Sequence, residues 1–185
     1  MSGATVVLVH GAWCGDWVYW KLAPCLEERG LDWVGADLPT CGATDTSIGP
    51  LDDVAHVRDL ILSIDGPVVV AGKGKSYGGT VISGATAGCP NVEHLVYIAA
   101  MMPEPDELFH RTTAAAQTPE FARESRLLDD GRVAMDPEIG AIQPSAQRAW
   151  AKRATHVIER PWDHSPAVSH PTEVAALLAD IARAV

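Results

Sequence analysis

The sequence predicts an α/β protein, with a mostly parallel sheet and helices on both of its faces. Three observations lead there. Short continuous apolar runs at Thr5–Val9 (TVVLV), Trp33–Ala36 (WVGA), Val68–Val70 and His94–Ala99 (HLVYIA) read as strands buried on both faces, because a strand with one wet face alternates instead. Helix-patterned segments stand between these runs at the spacing of parallel units with right-handed crossovers. The runs end in His10–Trp13, Asp37–Thr40, Ser76 and Met101–Glu104, at the carboxyl ends where such sheets bind their ligands.

Taken in order, the first strand is followed by a helix from about Trp17 to Arg29, with Gly30 as its C-cap. The strand at Trp33–Ala36 runs into Asp37-Leu38-Pro39 and a loop of Gly, Thr, Asp and Ser ending at Pro50. Leu51–Ile64 is amphipathic. Leu51, Val54, Val57, Leu60/Ile61 and Ile64 share one face, and Asp52, Asp53 and Arg58 lie off it. Late in the chain, Pro144–Arg153 reads as a helix with Pro144 in its first turn, and Thr155–Glu159 (THVIE) as a short strand. Pro171–Val185 reads as a last helix striped by Val174, Leu177, Leu178, Ile181 and Val185.

Between the third strand and its helix lies Gly74-Lys75-Ser76-Tyr77-Gly78, which fits G-x-S-x-G, the nucleophile elbow. A turn so tight needs glycines where the helix backbone passes close to the strand. It holds a serine hydroxyl in the open and aims the next N–H, that of Tyr77, at a developing oxyanion. Gly74-Lys75-Ser76 also ends like a phosphate loop. That motif requires a glycine five positions before Gly74, where Val69 stands inside the strand.

His164 is placed just past the expected strand 155–159, on the same edge as Ser76, and the order serine then histidine suits a hydrolase triad. The other histidines have weaker claims: His10 is read as a brace of its own loop.

Composition bounds the function. The chain has 185 residues, 47% hydrophobic and 21% charged, which is enough for one domain with a real core. A net charge of −10 without a Lys/Arg cluster argues against nucleic acid and anionic membranes as partners. No run approaches the roughly 18 apolar residues of a membrane span. Residues 1–4 carry no basic leader, so no export signal is expected. Cys14, Cys25, Cys41 and Cys89 are scattered without metal-ligand spacing or a disulfide pattern, and a reducing, cytoplasmic setting is expected.

Five motifs in this order, VVLVHGAW (6–13), GADLPTCG (35–42), GKSYGG (74–79), LVYIAAMMP (95–103) and DHSPAVSHPTEVAALL (163–178), resemble the α/β-hydrolase family. The likeness is to its small cofactor-free branch of plant-type methylesterases and hydroxynitrile lyases, and it covers about residues 5–110 and 141–185. It implies a reduced α/β-hydrolase fold in a single domain, 1–185. It also implies an esterase acting on a small ester or thioester through an acyl-enzyme on Ser76, with His164 as the base. By the same resemblance the backbone N–H groups of Ala12 and Tyr77 form the oxyanion hole, and Trp13 and Met101 line the acyl pocket. No metal or organic cofactor is implied.

Two departures from the family stand out. Its strand exit has one residue between glycine and serine, whereas Ala71-Gly72-Lys73-Gly74-Lys75-Ser76 carries two more and sets Lys75 beside the serine. Residues 101–154 are too few for the usual cap, a further strand and the catalytic acid, and Ile139 occupies the position where that acid falls on the simplest register. Asp136 or Glu138 is then the acid from a displaced position, or Glu104 or Asp106 replaces it. Asp163 adjoins His164 but points awkwardly for the task. The insertion at about 103–140 reads as a small helical lid. These departures keep two alternatives open, a non-hydrolytic lyase or cyclase and a small-molecule binding module. They also leave a sheet edge on which a second copy of the chain is expected to pair.

Overall fold

Successive side chains of a strand point to opposite faces, so an unbroken apolar run feeds two hydrophobic layers at once. The computed structural model describes residues 3–45, 47–104, 125–127, 133–135 and 144–185. Its main sheet contains β1 (Thr5–Val9), β2 (Trp33–Ala36), β3 (Val68–Ser76) and β4 (Val92–Ala100), all parallel, in the order β2-β1-β3-β4. The helices are α1 (Leu22–Glu27), α2 (Pro50–Leu62), α3 (Tyr77–Ala85), α4 (Pro144–Ala151), α5 (Pro166–Ser169) and α6 (Pro171–Arg183).

Val6, Leu8, Val69 and Ala71 enter the layer made with Leu22 and Leu26 of α1 and Val174 and Leu178 of α6. Val7, Val9, Val68 and Val70 enter the other, with Val57 and Ile61 of α2 and Val81 and Ile82 of α3. The predicted α/β architecture with helices on both faces is the one observed. Apolar burial of this kind, about 25 cal/mol per Å², is the main favourable term in its folding.

Several local expectations are corrected. The helix expected from Trp17 to Arg29 splits into a 3-10 turn at Asp16–Tyr19 and α1, whose C-cap is Glu28 rather than the expected Gly30; Gly30, at φ +67°, lies in the turn that follows. Pro24 lacks an N–H and is tolerated only in a first turn, so α1 begins just before it. On α2 the buried stripe is Asp53, Val57 and Ile61, while Leu51 is 69% exposed. The helix is thus rotated from the face its apolar residues suggested, and an acid goes inside.

Thr155–Glu159 is not a strand. Val157 and Ile158 are exposed, no described strand flanks the outer edge of β4, and Glu159 is held instead by Arg148 at 2.7 Å. A strand without a ladder partner leaves its N–H and C=O groups to water, and the segment stays irregular. The described part of the expected helical insertion is a two-stranded antiparallel ribbon, β5 (Ser125–Leu127) with β6 (Val133–Met135). Of the insertion, residues 105–124, 128–132 and 136–140, with Asp106, Asp136 and Glu138, lie outside the described residues. Among the described residues no helix is long and apolar enough to cross a membrane.

Candidate active site

From β1 the chain passes to β2 on one side and then to β3 on the other. The crevice beyond the carboxyl ends of β1 and β3 is therefore the topological switch point of the sheet. Ser76 is the last residue of β3, paired with Ala100, and Tyr77 is the first of α3. The strand turns into the helix with no intervening loop, as the elbow motif predicts.

The glycines explain how the turn closes. A Cβ on Gly78 would stand 2.6 Å from the Val9 carbonyl oxygen, 2.7 Å from that of Lys73 and 2.8 Å from that of His10. A Cβ on Gly72 would stand 2.7 Å from the Gly78 oxygen. The two glycines thus pack backbone to backbone, and Lys73–Tyr77 make up the whole excursion between them. Its extra length is taken up as a β-bulge, since the three steps from Lys73 to Ser76 face only two from Ile98 to Ala100. Lys73, at the root of the bulge, is buried. Sequence reading weighed Lys75 and passed over Lys73, whose position in a run of β3 residues facing the α1/α6 layer was the available signal.

The loop after β1 is held by His10, which is wholly buried. Its Nδ1 lies 2.9 Å from the Gly11 carbonyl oxygen, and its Nε2 accepts the Leu38 N–H at 3.0 Å, an arrangement met by the tautomer with its hydrogen on Nδ1. The Gly11 carbonyl belongs to the same planar peptide as the Ala12 N–H, so holding one sets the direction of the other. Trp13 follows at φ +60°, a left-handed conformation costly for a large side chain, and is 39% exposed at the rim.

The loop after β2 and α2 reach the elbow through Asp53. Its Oδ1 accepts the Thr40 N–H at 2.9 Å, and its Oδ2 accepts the Thr40 and Tyr77 hydroxyls, each at 2.6 Å. Burial, reinforced by the Asp53 carboxyl, pushes the Tyr77 phenol well above its ordinary range. Burial and then the Asp53 charge likewise raise the Cys41 thiol. Sequence reading set Asp53 off the apolar face of its helix. Its i, i+4, i+8 spacing with Val57 and Ile61 was the signal that it goes inside.

Beyond β4, Met101 is half-buried, and its carbonyl lies where a Cβ on Gly79 would collide with it. Arg153 donates to the Met102 carbonyl at 2.7 Å and approaches Glu104 at 3.6 Å. His164 is half-buried just before α5, which packs against the 3-10 turn after β1, so its segment reaches the carboxyl edge. Trp162, stacked on His170 with centroids 4.9 Å apart, seats that segment on the α1/α6 layer. Asp163 accepts the Ser165 N–H and the Ser169 hydroxyl, at 2.7 and 3.0 Å, and so ties the loop before α5 to its last residue. Among the described residues no cluster of His, Cys, Asp and Glu has the spacing to hold a metal ion.

A doubly wound parallel sheet with a strand–serine–helix elbow at its switch point defines the α/β-hydrolase class, and a model of the alpha/beta hydrolase family matches residues 6–138. The chain belongs to that family. It is 30% identical over 152 residues to the carbendazim hydrolyzing esterase of Nocardioides sp. (strain SG-4G), covering 76% of this chain and 60% of that protein. To the putative methylesterase 14, chloroplastic, of Arabidopsis thaliana it is 32% identical over 143 residues, 72% of this chain and 40% of that one. The crystal structure of polyneuridine aldehyde esterase shares the fold with a TM-score of 0.83 at 20% identity, over 97% of this chain and 99% of that one. The chain spans 60% and 40% of the length of the two curated relatives just named.

Proposed function

We propose that the protein is a serine hydrolase of a small ester or thioester. The Ser76 hydroxyl attacks the acyl carbon as His164 takes its proton, and the oxyanion is held by the backbone N–H groups of Ala12 and Tyr77. His164 returns the proton to the leaving alcohol or thiol. It then deprotonates the water that releases the acid from the acyl-enzyme. Trp13 and Met101 border the acyl group, and Asp136 orients His164, with Glu104 as the alternative. The observation that carries this reading is the direct passage from β3 to α3 at Ser76–Tyr77, beside the loop that His10 braces. The esterases among its relatives agree with it.

The test is labelling by a fluorophosphonate, read by intact mass and peptide mapping. One adduct on Ser76, absent in Ser76→Ala, is expected. Folded protein that takes no label refutes the hydrolase. The longer excursion between Gly72 and Gly78 favours a second reading, a pocket that has kept binding or acid–base lyase chemistry without acyl transfer. Saturable ligand binding indifferent to Ser76→Ala would support the binder, and turnover that tolerates Ser76→Ala better than His164→Ala the lyase. We also propose that a second copy pairs along the outer edge of β4, where Leu95 is 41% exposed. A monomeric mass by sedimentation contradicts that pairing.

A further inference from the structure

We infer that Asp53 is a positioning residue for the elbow. Through the Tyr77 hydroxyl it fixes the residue whose backbone N–H receives the oxyanion, and through Thr40 it ties that residue to the loop after β2. The inference rests on the hydrolase reading and adds to it a residue that acts through Tyr77 rather than on the substrate.

Asp53 is fully buried, and among the described residues no cation stands at ion-pair distance from it. Three donors meet its two oxygens: the Tyr77 hydroxyl, the Thr40 hydroxyl and the Thr40 N–H. The two hydroxyl contacts, at 2.6 Å, fall in the range of charge-assisted hydrogen bonds. Its place in the first turn of α2 adds the favourable end of the helix dipole. For stability alone the arrangement has little to recommend it, because desolvating an acid roughly cancels what its hydrogen bonds return. What it supplies is geometry.

Tyr77 packs against the α2/α3 layer, and its hydroxyl is tied to Asp53 while its backbone starts α3. With both ends held, its N–H has one direction. The need is unusual in this chain, since five residues separate Gly72 from Gly78 and a longer excursion has more freedom to rock. The phenol remains a donor over the working pH range because burial and the neighbouring carboxyl raise it.

The experiment compares the whole chain with Tyr77→Phe, Asp53→Asn and the double variant. Readouts are thermal melting, steady-state hydrolysis of p-nitrophenyl acetate and the rate of fluorophosphonate labelling. Tyr77→Phe keeps the ring and loses only the tie. It is expected to lower kcat and the labelling rate about 10- to 100-fold while KM changes less than about 3-fold, the signature of a misaimed oxyanion donor. Asp53→Asn, which keeps shape and acceptor, is expected to fall between wild type and Tyr77→Phe, and the double variant to be no worse than the worse single one. If the variants melt lower yet label and turn over at the wild-type rate, Asp53 is structural only and the inference is overturned while the hydrolase stands. If wild type itself neither labels nor turns over, the hydrolase reading falls and takes this one with it.

Discussion

Gly78→Ala is the substitution whose cost is most directly legible. The added methyl meets three backbone carbonyl oxygens, of Val9, Lys73 and His10, at 2.6, 2.7 and 2.8 Å. None is the far end of a flexible side chain, and they belong to β1, β3 and the loop beyond β1, so no rotamer change relieves the clash. Ordinary contact begins at 3.4 Å, so the start of α3 must move by about 0.8 Å from Val9 alone. Overpacking of this kind costs about 1–3 kcal/mol. The same displacement carries the Tyr77 N–H with it, and a shift of about 1 Å at a positioned group costs on the order of 100-fold in rate. Urea unfolding is therefore expected to show a loss of about 2 kcal/mol, and turnover of p-nitrophenyl acetate to fall about 100-fold in kcat with little change in KM. A variant as stable and as active as wild type would show that α3 is not seated on the end of β1 and would refute the argument.

Two further predictions rest on burial. Tyr19, Tyr77 and Tyr97 all have phenols raised chiefly by burial, so the folded state holds these protons at a pH where the unfolded chain, titrating near about 10, has lost them. Stability is then full below about pH 10 and declines above it, and the urea midpoint should fall with a shallower slope in Tyr77→Phe; a midpoint unchanged to about pH 11.5 would contradict this. Leu178→Ala, at a side chain 1% exposed between α6 and the sheet, should cost about 2–5 kcal/mol in urea unfolding, and a loss under about 1 kcal/mol would mean the α6 layer is looser than its burial implies.

The architecture was legible because its signal is redundant. Each buried parallel strand is a continuous apolar run, and Val6–Val9 or Val68–Ala71 can satisfy two layers only by lying between them. The elbow was legible for a different reason, that Gly78 has a single steric role and the sequence shows it. What could not be read depends on partners brought from afar. Asp53 reads as lying off the apolar face until Thr40 and Tyr77 are placed against it. Thr155–Glu159 has strand composition, but strand propensity describes fit to a neighbouring strand, and none is described beside it. The two extra residues before Ser76 raised the question of a displaced nucleophile, and only the contact of Gly72 with Gly78 shows that the turn still closes at its base.

In the proposed triad, the acid that orients His164 is weighed against what the described carboxyls already bind. Asp53 is filled by three donors on the α2/α3 side of the sheet. Asp163 accepts the Ser165 N–H and the Ser169 hydroxyl. Asp37 accepts the Asp16 N–H, and Glu104, 55% exposed, lies beside Arg153, which also anchors the Met102 carbonyl. The Arg153 contact engages one Glu104 oxygen, at 3.6 Å, so Glu104 and Asp136 both stand as candidates and substitution separates them. With Asp136 as the acid, Asp136→Asn is expected to lower kcat by about 10⁴, the loss that follows when a Ser-His-Asp triad is deprived of its acid, with KM little changed. Glu104→Gln should stay within about 3-fold, since an exposed ion pair is worth little. The reverse ranking in the same assay would transfer the role to Glu104 and place the acid after β4, on the strand next to the nucleophile.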